Sequence, residues 1–132
     1  MASEEHIPAY VQEHGPLEIP LRLVRFDECI AALRLDPGWQ RGERVAHTLV
    51  KEGLRRAVLT LLPAGAQLQE HQAGGAATIQ CLQGRLRVQT AVAPPMDLGA
   101  GELVALDAGV RHSAEAITEC AFLVTLAQTG QS

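Results

Sequence analysis

From Trp39 onward the apolar residues of this chain fall into short runs, each closed off by Gly, Pro or Asp, with no helical stripe between them. Apolar runs of that kind, bounded by turn residues, predict strands joined by tight turns. They occur at 45–51, 55–62, 66–72, 76–82, 85–92, 103–106, 111–117 and 120–127. Strands that follow one another without interleaved helices favour an all-β barrel or sandwich, because parallel strands need crossover connections. The clearest turn is Gln83-Gly84. In the strand after it, Leu86 and Val88 alternate with Arg85, Arg87 and Gln89, which gives one dry face and one wet face.

The chain before Trp39 reads differently. Residues 1–20 hold Pro8, Gly15, Pro16 and Pro20 among polar residues and suit an extended arm better than a helix. Residues 21–44 are expected to hold a short helix and a linker, and residues 45–128 the barrel. In the helix, Asp27 is placed to cap, Ile30, Ala31, Leu33 and Leu35 to form the apolar side, and Pro37-Gly38 to stop it. The helix so defined has about two to three turns.

A chain of 132 residues buries roughly two-thirds of its extended surface on folding, enough for one core without staples. Apolar residues make up 47% and aromatics only 3%, so that core must be aliphatic, with Phe26, Trp39 and Phe122 as its few large anchors. A formal charge of -4 argues against a nucleic-acid partner, which would need clustered Lys and Arg. Lys51 with Arg55 and Arg56 is too short a cluster to reverse that, and reads as a solvated loop or strand edge. Cys29, Cys81 and Cys120 are an odd number without a C-x-x-C pair, the pattern of reduced thiols in a cytoplasmic protein. Met1 to Tyr10 carries Glu4 and Glu5 and no apolar run, so neither an export signal nor a membrane partner is expected.

Between Gly65 and Ala116 the spacings carry a further signal. Gly65 is followed after five residues by His71, then Ala73, Ala77 and Gly84; Gly101 is followed by Asp107, Gly109, His112 and Ala116. This resembles the two motifs of the cupins, in which Gly, His-x-His, Glu and Gly precede Gly, Pro-x-Gly, His and Asn. The likeness covers about residues 55–126 and departs from the pattern at Ala73, Ala77, Asp107 and Ala116. It implies a double-stranded β-helix, or jelly-roll, barrel with a short N-terminal helix and an extended N-terminal arm.

In the resembling family the two motifs surround a divalent metal, with ligands two residues apart on one inward face. Only His71 and His112 stand at ligand positions here. The cofactor is left open between a divalent ion (Zn, Ni, Fe or Mn) on His71 and His112 and none, since catalytic sites usually supply three protein ligands. Cys81 shares the parity of Ala77 and is expected to face inward, as a ligand or as a small buried apolar residue; Glu70, Gln80 and Glu115 have the other parity. His47 is a further candidate whose direction the sequence leaves open. With Ala73, Ala77 and Ala114 in place of bulk and charge, the expected pocket is lined by His71, Ala73, Ala77, Cys81, His112 and Ala114, and takes a small molecule. Two alternatives stand beside a small-molecule-binding barrel. One is a metal-dependent dioxygenase or isomerase using His71 and His112; the other is a metal-free isomerase or epimerase with a histidine base, which would need Tyr10 at the barrel mouth. The resemblance also implies a homodimer.

Overall fold

In the computed structural model, residues 21–72 and 75–127 are described, with backbone only for 70–72; the arm expected over 1–20 lies outside them. Helix α1 (Phe26–Leu33) and the one-turn helix α2 (Pro37–Gln40) precede nine strands: β1 (Val45–Glu52), β2 (Arg55–Leu62), β3 (Gln67–Gln72), β4 (Ala76–Gln83), β5 (Arg85–Thr90), β6 (Met96–Gly99), β7 (Leu103–Leu106), β8 (Arg111–Ala116) and β9 (Cys120–Ala127). They form a five-stranded sheet, β1-β2-β9-β4-β7, and a four-stranded sheet, β3-β8-β5-β6, antiparallel at every pairing. This is the double-stranded β-helix expected from the motif spacing. The sequence reading missed β6 and carried β5 on to residue 92. Pro94-Pro95 and the Gly99–Gly101 turn leave only Met96 and Leu98 as apolar signal, too little for a strand pattern.

Between the sheets lies the larger core, in which Ile79, Cys81, Leu86, Val88, Leu98 and Phe122 are buried. All but Phe122, whose neighbour Ala121 is buried on the other face, alternate along their strands with more exposed residues, and β5 reads as the sequence predicts, with Leu86 and Val88 inside. A fully buried aliphatic or Phe side chain contributes about 1.5–3 kcal/mol. A second core sits on the outer face of the five-stranded sheet, where Cys29, Ile30 and Leu33 of α1 cover Leu59, Leu61 and Ala121.

Helix α1 departs from the expected side chains. Arg25 stands at its N-cap without a capping bond, and Asp27 lies in the first turn with Glu28, where carboxylates meet the positive end of the helix dipole. Its apolar stripe is Phe26, Cys29, Ile30 and Leu33, spaced i, i+3, i+4 and i+7. Ala31 and Leu35 fall off that stripe, and Leu35 is 64% exposed. Pro37 does not simply stop the helix. It is the first residue of α2, whose start is capped by Asp36 Oδ1 accepting from the Gly38 N–H at 2.8 Å. Arg34 then ties the helical segment to the barrel through Glu119 and Gln83.

Candidate functional site

Strand β8 alternates without a break. His112, Ala114 and Ala116 are buried, while Arg111, Ser113 and Glu115 are more exposed. Ala114 and Ala116 belong to the inter-sheet core, and the same parity sends His112, 5% exposed, into the barrel. Its Nδ1 lies 3.1 Å from the Val110 carbonyl oxygen. A carbonyl only accepts, so Nδ1 carries the proton in that bond. Val110 is itself held in the β7–β8 turn by donating its N–H to the Asp107 carbonyl at 3.3 Å.

The backbone of His71 is brought opposite His112 by a less regular route. It is the cross-strand partner of His112, and Leu68 is the partner of Ala114. Three steps along β3 are thus matched to two along β8, a β-bulge between Leu68 and His71. Uninterrupted alternation would have given Leu68 and Glu70 one face and His71 the other. The bulge instead gives His71 the register of His112.

On the facing sheet Ala77 is 4% exposed and pairs with Leu106 on one side and Leu126 on the other. Ala114 pairs with Leu68 and Val88. Cys81 is four residues further along β4, about 13 Å away at strand rise. It packs with Leu86 and Phe122 and donates its Sγ–H to the Gln83 and Gly84 carbonyls at 3.5 and 3.4 Å. Burial pushes its thiol above the ordinary range. Cys81 therefore belongs to the packed core between the sheets. Ala73 lies outside the described residues, as does Tyr10.

His47 pairs with Leu59, whose side chain belongs to the core under the helices. Opposed residues share a face, so His47 lies on the helix-covered side of the sheet and not inside the barrel. Among the described residues no three His, Cys, Asp or Glu side chains stand together as a metal-holding group. With alanine at 77 and at 73, His47 on the helix-covered face and Cys81 about 13 Å along β4 from Ala77, none of these positions adds a donor beside His112. A groove of about 200 Å³ at the four-stranded sheet, between Gln67, Gln69, Gln89, Ser113 and Glu115 and bordered by Leu68 and Ala114, has only Ala114 in common with this site. Sequence reasoning also passed over Arg56, which shares the face of Ala77; strict alternation along β2 separates it from Arg55 and could have found it.

No protein-family model matches the chain, and no curated protein does. Solved structures do. A conserved protein of unknown function from Streptococcus pyogenes superposes with a TM-score of 0.63 at 18% identity, covering 67% of this chain and 77% of that one. A cupin superfamily protein from Desulfitobacterium hafniense gives 0.63 at 15% identity, over 66% and 79%. The DMSP lyase DddQ from Ruegeria pomeroyi gives 0.61 at 22% identity, over 75% of this chain and 53% of the lyase. At these identities the likeness is one of fold, and the chain folds as a small cupin domain.

Proposed function

We propose that this cupin domain is a small-molecule-binding barrel that works without the family's metal, its ligand meeting His112 in the open end between the sheets. The observation that carries the reading is His112 itself. It is a buried imidazole whose Nδ1 donates to the Val110 carbonyl, a polar ring held in fixed orientation on the strand face that also carries Ala114 and Ala116. Ala114 on the same strand and Ala77 on the facing sheet are small, buried and apolar, and His71 is the cross-strand partner of His112. A concave, largely apolar site with few polar groups suits a small organic molecule. Three buried unpaired thiols fit a cytoplasmic setting, and among the described residues no helix is long and apolar enough to cross a membrane. A homodimer is the proposed assembly, because the edge strands of a small barrel need covering.

The test is metal content by mass spectrometry on protein purified without chelator or affinity-column metal, followed by loading with Fe, Mn, Ni and Zn. The expected result is less than a tenth of an equivalent on the order of measurement background, with His71→Ala and His112→Ala no different from the parent chain. Near one ion per chain, lost in both variants, would replace this reading with that of a metal-dependent dioxygenase or isomerase.

A further inference from the structure

Two cations that look like ordinary surface charge in the sequence stand in the same cross-strand row as Ala77. Arg56 is opposed to Lys51 on β1 and to Leu126 on β9; Leu126 is opposed to Ala77, and Ala77 to Leu106. Opposed residues of an antiparallel pair share a face. Further along the same strands this face carries Thr60 and Phe122, both buried between the sheets. Lys51 joins the row through a register shift between Thr48 and Val50, which puts one extra residue into β1. Without that residue Lys51 would share the face of Val45 and Leu49, under the helices.

The two sides of β2 differ in how their charge is used. Arg55, on the outward face, is paired with Glu52 at 2.6 Å. Among the described residues, Arg56 and Lys51 make no ion pair or hydrogen bond through their side chains. Arg56 lies two strands from Ala77, about 10 Å at ordinary strand spacing, a gap that the long stem of an arginine largely spans. Asp107, the carboxylate that follows Leu106, is at the far end of the row, three strands from Arg56.

We infer that the ligand of this barrel is an amphipathic carboxylate: a small organic acid whose apolar body lies over Ala77, Leu126 and Leu106 and whose carboxylate meets Arg56, with Lys51 adding to the field at the mouth. The inference rests on the small-molecule reading above and names the ligand's class. A guanidinium matches a carboxylate in a bidentate pair, and the apolar remainder of the row favours an organic body over a bare, strongly hydrated anion. His112 on the facing sheet would then contact the body of the acid.

The test uses linear and aromatic monocarboxylic acids of two to eight carbons, their primary amides, and inorganic phosphate as probes. Binding is followed by calorimetry and by the ring resonances of His112 in heteronuclear NMR. At least one acid is expected to shift the His112 resonances saturably and to bind more tightly than its amide, with phosphate binding more weakly than that acid. Arg56→Gln should weaken the acid about tenfold, the scale of a lost charged hydrogen bond, and leave the amide unchanged, while Arg55→Gln on the opposite face leaves both unchanged. Amides binding as tightly as acids, phosphate binding more tightly than every acid, or an acid equally affected by Arg55→Gln and Arg56→Gln would overturn the inference alone. If neither acids nor amides perturb His112, the small-molecule reading falls and this inference with it.

Discussion

Cys120 lies in the packed core between the sheets, where burial above all, and then the neighbouring Cys81, push its thiol up to about 12. Burial likewise raises Cys29, on the buried side of α1, to about 11. Both thiols hold their protons more tightly folded than unfolded. Their contribution to stability is therefore complete below the unfolded value of about 8.5 and is lost as pH rises towards the folded values. Urea unfolding between pH 8 and pH 11 should accordingly show the parent chain losing stability more steeply than Cys120→Ala. The extra slope is limited to about 1.4 kcal/mol per pH unit for one thiol, and parallel pH profiles would remove Cys120 from the account. At this scale the sequence was informative wherever a strand is regular. The shared parity of Ala77 and Cys81 on β4 was legible, and so was that of His112 and Ala114 on β8. For His71 and Lys51 it was not, because a bulge precedes each of them, in β3 and in β1, whereas the register shift of β4 falls beyond Cys81; a bulge leaves no mark in the hydrophobic pattern.

Between β4 and β5 the chain turns through Gly84, at φ +80°. Gly65, Gly101 and Gly109, the other glycines of the two spacings, also have positive φ, so those spacings recorded backbone conformation more faithfully than they recorded ligands. At Gly84 conformation is joined by a close approach. A Cβ there would stand 2.1 Å from the Glu119 carbonyl oxygen and 2.9 Å from the Cys120 Cα, both backbone atoms that cannot step aside as a side chain tip would. Gly84→Ala should cost about 3 kcal/mol or more, read as a lower denaturant midpoint at unchanged slope. A loss near 1 kcal/mol would mean that the β8–β9 connection yields easily. The strand starts and stops were legible because Gly and Pro act locally. The exception, β6, owes its existence to pairing with β5, including the Arg87–Asp97 ion pair at 2.8 Å, and a four-residue strand has little pattern of its own.

The five-stranded sheet is packed on both faces at its centre. One side packs against the four-stranded sheet through Ile79, Cys81 and Phe122, and the other lies under α1 through Leu59, Leu61 and Ala121. Two cores that share a sheet cannot melt separately without exposing one of its faces. The single Trp39 belongs to the helix-side core, so its fluorescence and the far-ultraviolet circular dichroism of the strands should trace one coincident urea transition. A tryptophan signal that moves at lower urea would show that the helical layer detaches on its own. What the sequence by itself determined was the all-β class, nearly every strand, the aliphatic core and the turns that need glycine, because each is set by residues adjacent in the chain. Only the tertiary structure decided which strand positions are brought opposite one another. The pairing of His71 with His112, His47 turned to the helix face, and Lys51 and Arg56 in one row with Ala77 all follow from the register between strands. That register is set by hydrogen bonds and bulges between segments far apart in sequence, so no local pattern could carry it.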